Sequence, residues 1–296
     1  MRPGTTQPRS LFLASLVLAG TPHFAAATVP DAHAQRRDNG ATYDNSYFVI
    51  QGTWKCTTSQ LAIIDSSIKE AKELATTAVN ALKVKGVETS EAFHVWLGRS
   101  TATPQLANTI LNNHFETAFS LLPEPATPAA FRWTNAAEFK APLGEPPLTN
   151  DSLVWGCPPL ADQGGQICRE RVQASVARVR GVENAPTMLI LCPEFFEVNV
   201  TNAQMIELYK ASLSNGDFSK GQILLHELQH MFKTTFPSPA PADLDEPLPE
   251  TFGNKDCYSA GCCARLPDSQ KLQNAENFAM FALDVSAFPE LAKPGS

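Results

Sequence analysis

The sequence predicts an α+β fold that is mostly helical, with a small β-sheet beside the helix that carries a His-Glu-x-x-His motif. Two long segments, 57 to 84 and 90 to 122, repeat apolar residues at helical spacing. Two short apolar runs, Leu153 to Gly156 and Met188 to Leu191, have the length and composition of buried strands. A chain of 296 residues with 43% hydrophobic residues can bury one sizeable core.

The first half of the chain is predicted to be largely helical. Residues 57 to 84 form one long amphipathic helix, which Thr57 or one of the two residues after it caps. The next helical stretch, 90 to 122, contains Pro104, where we expect a break. Six prolines between residues 123 and 150 indicate an irregular loop region.

Helices also dominate the second half. One is expected between Asn202 and Leu213, and another begins at Ser219, which has capping-box spacing to Gln222. That second helix is predicted to continue to about Lys233, because five prolines then follow within 13 residues. A last helix is predicted from about Asp268 to Val285.

The N-terminus has the features of a secretory signal peptide. A positive segment precedes an apolar run of ten residues, Leu11 to Gly20, and small residues follow. This run is too short to span a bilayer. Arg36-Arg37 is a candidate second processing site. We therefore expect residues 1 to 37 to be removed, and residues 38 to 296 to form a single secreted, extracellular domain.

Charge and cysteine content narrow the class of protein. The formal charge is −7, and removal of residues 1 to 37 takes away four Arg and one Asp, which leaves about −10. An acidic chain of this kind argues against nucleic acid or an anionic membrane as the main partner. Seven cysteines in an exported chain predict disulfides, with one cysteine left over.

The motif with the clearest chemistry is His226-Glu227-Leu228-Gln229-His230. Histidines four residues apart on a helix face the same side, so both can bind one zinc ion. Glu227 projects beside them and can accept a proton from a metal-activated water. This pattern predicts one Zn²⁺ per chain, with His226 and His230 as ligands and Glu227 as the general base of a hydrolase.

A zinc site of this type needs a third protein ligand, which the motif does not supply. A third histidine at H-x-x-G-x-x-H spacing is excluded, because Lys233 stands where Gly is required and Phe236 where His is required. The carboxylates that remain candidates for the third ligand are Asp243, Asp245, Asp256, Glu250 and Glu276.

Four segments resemble the deuterolysin (aspzincin) family of fungal secreted zinc endopeptidases. They are Trp54-Lys55-Cys56, Leu191-Cys192-Pro193-Glu194-Phe195-Phe196, Leu225 to His230, and Asn274 to Phe281. The resemblance spans about residues 54 to 285 and implies a zincin-like catalytic domain with an aspartate as third ligand.

The family's third-ligand motif, G-T-x-D-x-x-Y-G, is altered in this chain. Residues 253 to 259 place Asp256 two positions before Tyr258 instead of three, and Ser259 replaces the final Gly. From the resemblance we expect Asp256 to be the third ligand and Tyr258 to stabilise the transition-state oxyanion.

The resemblance also implies a specificity pocket that Asn274 to Phe281 help to line. Glu276 takes the place of the family's Asp, whereas Ala279 replaces the further carboxylate of lysine-specific members. We therefore expect Glu276 to bind substrate and to give a modest preference for Lys or Arg after the cleaved bond.

The resemblance also implies two disulfides, which join Cys56 to Cys157 and Cys168 to Cys192. Among the three remaining cysteines, we expect Cys257 to pair with Cys262 or Cys263. Cys262 and Cys263 are adjacent and are not expected to bond to each other.

The sequence thus predicts a secreted zinc metallo-endopeptidase that acts on protein or peptide substrates as a monomer, without nucleic-acid or membrane partners. The alternative is a secreted zinc-binding protein without catalysis, similar to fungal zinc-scavenging antigens. A third hypothesis is a pseudo-enzyme that acts through surface contacts. The intact Glu227 favours the enzyme, because a zinc scavenger needs no general base.

Overall fold

The structure is a computed structural model that describes residues 17–18, 48–50, 54–122, 132–134, 153–159, 168, 172–179, 187–213, 217–231, 241–247 and 254–296. Nearly all of the predicted signal peptide and most of the predicted loop from 123 to 150 lie outside the described residues. The domain boundaries therefore stay predictions.

Helices account for most of the described residues. The α-helices are α1 (Thr58–Leu82), α2 (Glu91–Phe93), α3 (Pro104–Ile110), α4 (Thr117–Leu121), α5 (Pro193–Glu197), α6 (Asn202–Ser212), α7 (Lys220–Gln229), α8 (Ala260–Arg265), α9 (Asp268–Lys271) and α10 (Ala275–Ala287). Two π-helical segments, His94–Gly98 and Leu111–Glu116, extend α2 and α3, and short 3₁₀ helices occur at Val87–Thr89 and Pro289–Ala292.

The starts of the first helices follow from local capping. Thr57 Oγ1 accepts a hydrogen bond from Gln60 N (3.2 Å), and Gln60 Oε1 accepts one from Thr57 N (2.8 Å), which completes a capping box at the start of α1. The predicted break at Pro104 is confirmed, because α3 begins at this proline with Thr103 as its cap.

The larger of two sheets in the described residues has six strands. Its strands are β1 (Val17–Leu18), β2 (Phe48–Ile50), β3 (Arg132–Thr134), β4 (Leu153–Gly156), β5 (Ala174–Val179) and β6 (Thr187–Leu191), in the order β1-β5-β6-β4-β2-β3. All neighbours are parallel except β5 and β6, which are antiparallel. The two predicted strands are β4 and β6, and all their side chains are buried. The α+β, mostly helical fold class is confirmed.

Several details differ from the sequence prediction. β3 lies inside the segment predicted as irregular loop. Helix α7 ends at Gln229, and His230 is its C-cap, so the helix stops before Lys233. The single helix predicted from Asp268 is divided into α9 and α10, because the chain turns at residues 272 to 274.

Helix α7 occupies the centre of the described fold. It packs against α1, α10 and β5, and every residue from Gly221 to Gln229 is buried. Gly221 allows the close approach to α1, because a Cβ at this position would lie 2.5 Å from Glu70 Cβ and 2.7 Å from the Glu70 carbonyl carbon. The two helices therefore meet at a distance that only glycine permits.

Three disulfides, which close sequence separations from 5 to 101 residues, agree with the expected pairing. The bonds are Cys56–Cys157, Cys168–Cys192 and Cys257–Cys262. Cys263 is the cysteine outside these bonds, and its buried Sγ lies 4.0 Å from Cys257 Sγ. Among the described helices, none combines the length and the apolar character that crossing a membrane requires.

Candidate metal centre

The two motif histidines point their ring nitrogens at one place. They follow each other by one helical turn at the end of α7, and both side chains are buried. His226 Nε2 and His230 Nε2 lie 3.1 Å apart. This is the arrangement that the His-Glu-x-x-His spacing predicts.

A carboxylate from a distant part of the chain completes the cluster. Asp243 Oδ1 lies 3.2 Å from His226 Nε2 and 3.2 Å from His230 Nε2. The three atoms therefore form a nearly equilateral triangle. Tetrahedral zinc with ligand distances of about 2.0–2.1 Å has ligand–ligand edges of about 3.3 Å, so the three atoms fit one zinc ion and leave the fourth position open. Among the described residues, His226, His230 and Asp243 form the group of His, Cys, Asp and Glu side chains that could hold a metal ion.

Asp243 reaches the histidines because its segment pairs with the chain just before α10. Ala242 N donates to Gln273 O (2.9 Å), and Ala275 N donates to Ala242 O (3.1 Å). Leu244 N donates to Asn274 Oδ1 (3.2 Å) on the other side of Asp243. The backbone is thus fixed both before and after the aspartate.

Asn274 connects several segments around the site through its side-chain hydrogen bonds, and sequence reasoning missed this role. Its Nδ2 donates to Cys257 O (3.3 Å) and to Asn277 Oδ1 (2.8 Å), and Asn277 Nδ2 in turn donates to Trp96 O (2.8 Å). Both asparagines are fully buried. The segment Asn274 to Phe281 was predicted to line a pocket and carries part of the family resemblance, but no spacing pattern indicates the bonds that Asn274 makes.

The structure does not bring Asp256, the preferred candidate for third ligand, into the cluster. Asp256 belongs to β8 (Asn254–Asp256), which pairs antiparallel with β7 (Asp245–Pro247) and places Asp256 opposite Asp245. Leu244 O also accepts a hydrogen bond from Cys257 N (2.6 Å), so the β7–β8 pairing starts directly after Asp243. Asp243, one of the alternatives left open, takes the place beside the histidines.

Tyr258 lies at the wall of the site. It is buried, and its ring centroid is 5.6 Å from that of His226. Burial, together with the negative charges of Asp243 and Asp256, raises the pKa of Tyr258 above its ordinary value, so its hydroxyl stays protonated. A protonated hydroxyl in this place is a hydrogen-bond donor.

The Nδ1 atom of each motif histidine lies within hydrogen-bond distance of an oxygen atom. His230 Nδ1 lies 2.8 Å from Pro241 O, and a carbonyl can only accept, so Nδ1 carries the proton. His226 Nδ1 lies 2.8 Å from Glu276 Oε2. The same tautomer in both rings leaves the two Nε2 lone pairs turned towards Asp243, as a metal site requires.

The cluster carries an excess of negative groups for a buried site. Burial opposes a charged His226, but hydrogen bonds and charges from Asp243 and Glu276 raise its pKa well above the ordinary value. The pKa of Asp243 is lowered in spite of burial, because His226 and His230 stabilise its charged form. A divalent cation can balance these carboxylates in the low-dielectric interior.

Glu227 lies beside the cluster with one oxygen available. Its side chain is 1% exposed, and Oε1 has no hydrogen-bond partner among the described residues. Val176 of β5 donates a backbone hydrogen bond to the carboxylate. Burial raises the pKa of Glu227 to about 7. Glu227 is therefore held in place on one side and can accept a proton on the other.

A cavity of about 300 Å³, including its open mouth, adjoins the cluster. His226, Tyr258 and Glu276 contribute to its walls on the side of the metal ligands. The remaining walls come from Gln173, Phe218, Gln222 and Ile223. The cavity therefore opens directly beside the candidate metal centre.

The remaining histidines of the described fold lie outside the cluster. His114 stacks on Phe278 with ring centroids 4.1 Å apart, and its Nδ1 lies 2.9 Å from Gln229 Oε1. His94 contributes its backbone carbonyl to Lys271 Nζ (3.2 Å).

Comparisons with known proteins give few matches. No protein-family model and no curated protein matches the chain. Among solved structures, the chain is similar to a zinc peptidase from Grifola frondosa at 14% sequence identity, with a TM-score of 0.44. The match covers 78% of this chain and 99% of that one. Similarity at this level does not assign the chain to a family.

Proposed function

We propose that this chain is a secreted zinc-dependent endopeptidase in which His226, His230 and Asp243 bind one zinc ion and Glu227 is the general base. The observation that carries the proposal is the triangle of the three ligand atoms, with edges of 3.1 to 3.2 Å, beside a buried carboxylate whose Oε1 has no hydrogen-bond partner among the described residues.

The roles of the residues follow from their positions. A zinc ion held by His226 Nε2, His230 Nε2 and Asp243 Oδ1 would supply Lewis-acid polarisation and lower the pKa of a water molecule. Glu227 Oε1 accepts the proton of the attacking water and later gives it to the leaving amine. The Tyr258 hydroxyl donates a hydrogen bond to the oxyanion that develops on the substrate carbonyl.

Glu227 also favours catalysis over zinc storage. Its Oε1 has no hydrogen-bond partner among the described residues, and a protein that only binds zinc does not need a carboxylate oxygen left open in this way. A general base, by contrast, requires a free acceptor oxygen beside the reacting water. A zinc-binding protein without catalysis is the alternative that the experiment below distinguishes.

The test is a peptide-library digestion by the purified mature protein, with metal content measured on the same sample. We expect about one zinc per chain, cleavage of internal peptide bonds, loss of cleavage with a chelator and its return on addition of zinc. His230→Ala should lose both zinc and cleavage.

Two outcomes would contradict the proposal. Stoichiometric zinc without cleavage of any library peptide would support the non-catalytic zinc-binding alternative. Cleavage that survives complete removal of metal would rule out a zinc mechanism.

The secreted location rests on the N-terminal segment and on the three disulfides, which are typical of oxidising compartments. N-terminal sequencing of protein collected from culture medium should place the mature start at or after the predicted cleavage region. An intracellular protein that retains Met1 would contradict this part of the proposal.

A further inference from the structure

We infer that Glu276 is a positioning residue for the metal site, which holds His226 in the orientation and tautomer required for metal binding, and is not a residue that selects a basic substrate side chain. The inference rests on the metal site proposed above. It gives Glu276 a different role from the substrate-binding role that the sequence resemblance implied.

The first support is the contact between Glu276 and His226. Glu276 Oε2 lies 2.8 Å from His226 Nδ1, and both side chains are 3% exposed. An ionised carboxylate can only accept, so it requires the proton on Nδ1 and leaves the Nε2 lone pair facing Asp243. Such a contact also raises the basicity of the ligating nitrogen.

The second support is the partner of the other carboxylate oxygen. Glu276 Oε1 accepts a hydrogen bond from Gln222 Nε2 (3.1 Å), and Gln222 is fully buried. Gln222 lies one turn before His226 on α7, whereas Glu276 lies in the first turn of α10. The carboxylate is therefore fixed by two side chains of the motif helix, and the rotation of the His226 ring is fixed with it.

These contacts occupy the carboxylate oxygens that a substrate would need. Glu276 forms part of the cavity wall, but both of its oxygens already accept hydrogen bonds from protein donors. A lysine ammonium needs several acceptors to replace its hydration. Binding it here would require Glu276 to release His226, which would weaken the metal site.

The test measures zinc affinity on apo protein by competition with a chromophoric chelator. Glu276→Ala should weaken zinc binding about 10- to 100-fold, the usual effect of losing such an outer partner. Glu276→Gln should lose less, because its amide oxygen still accepts from His226 Nδ1. This conservative variant also keeps the side-chain volume, so it remains informative if the alanine variant does not fold.

Asp284 provides a matched control on the same helix. It is also buried, and it accepts a hydrogen bond from Tyr209 (2.9 Å) instead of from a motif histidine. Asp284→Asn should lower thermal stability and leave the zinc affinity within about twofold of wild type. Nitrogen-15 NMR of the apo protein, at a pH high enough for His226 to be neutral, should show the proton on Nδ1 in wild type and a mixture of tautomers in Glu276→Ala.

Two results would overturn the inference. One is wild-type zinc affinity in both Glu276 variants. The other is an intact zinc site in Glu276→Gln with a flattened preference for Lys or Arg in cleavage-site profiling. The affinity measurement needs no hydrolysis, so a protein that lacks peptidase activity but shows the expected affinities would contradict only the proposed function.

Discussion

At the scale of single residues, Asp243 is the least local component of the proposed metal centre. It lies 13 residues after His230 in the sequence, yet its Oδ1 is 3.2 Å from both Nε2 atoms. The bridge between Ala242 and Asn274 creates this proximity. Spacing rules cannot show such a contact, because backbone pairing between distant segments decides which of several loop carboxylates reaches the histidines.

Substitutions of the two aspartates separate the candidates for third ligand. Asp243→Ala should weaken zinc binding strongly, because it removes one of three ligands from a buried site. Asp256→Ala should have a much smaller effect, because Asp256 is positioned by the β7–β8 pairing. Isothermal titration of apo protein with zinc would measure both. A larger loss in Asp256→Ala would restore the ligand that the family resemblance favoured.

His114 should make stability depend on pH in a way that does not involve the metal. Burial lowers its pKa from 6.5 to about 4, so the folded protein keeps it neutral whereas the unfolded chain protonates it below about pH 6.5. Its contribution is full above pH 6.5 and is lost as pH falls towards 4. At about 1.4 kcal/mol per pKa unit, the loss reaches about 3 kcal/mol.

The measurement is the free energy of unfolding of apo wild type and His114→Gln between pH 7 and pH 4. Glutamine does not titrate and can still donate to Gln229. The variant should be less stable at pH 7, and the difference from wild type should shrink as pH falls. A difference that stays constant over this range would show that His114 does not titrate as proposed.

At the scale of elements, α7 is held by groups that also serve the site. Ser219 Oγ caps the helix by accepting from Gln222 N (3.0 Å), as the capping spacing predicts. The Gln222 side chain does not complete the capping box, however, because it donates to Glu276. Local sequence predicted where the helix begins, but the tertiary partner of Gln222 decides how that side chain is used.

The close contact between α7 and α1 gives a prediction with a matched control. Gly221→Ala should lower stability by about 1–3 kcal/mol or more, because the new Cβ would overlap Glu70 and force the helices apart. Gly261→Ala in α8 meets only the flexible Arg265 side chain at 3.4 Å and should be neutral or stabilising by about 0.5–1 kcal/mol. Chemical denaturation would compare them, and equal stability of the two variants would contradict the packing account.

At the scale of the whole molecule, disulfides act over very different lengths of chain. Cys56–Cys157 closes a separation of 101 residues between the start of α1 and the end of β4, whereas Cys257–Cys262 closes a separation of five. The loop-entropy model assigns about 5 kcal/mol to the longer loop and about 2 kcal/mol to the shorter one. The two bonds should therefore contribute unequally to stability.

Paired Cys→Ser variants test this ranking. Removal of Cys56 and Cys157 together should lower the free energy of unfolding by more than removal of Cys257 and Cys262 does. Thermal unfolding under non-reducing conditions would measure the difference. The opposite ranking would indicate that the short bond stabilises the folded state through local contacts.

Features that depend on consecutive residues could be predicted from the sequence, whereas features that depend on contacts between distant residues could not. Helices α1 and α6 and strands β4 and β6 were predicted, because periodicity and capping are written in consecutive residues. Strand β5, which holds the backbone partner of Glu227, has no comparable apolar run and was missed. The sequence likewise pointed to both histidines of the cluster, but it left Asp243 as one of five carboxylates and favoured Asp256 instead.

In the proposed mechanism, Glu227 is a base beside the metal and not a ligand. The most direct test of this role is the zinc content and the rate of peptide hydrolysis of Glu227→Gln, measured on the same preparation. We expect about one zinc per chain, as in wild type, and a rate lower by about 10²-fold or more, the usual contribution of a general base. Loss of zinc from this variant, or hydrolysis at the wild-type rate with zinc bound, would contradict it.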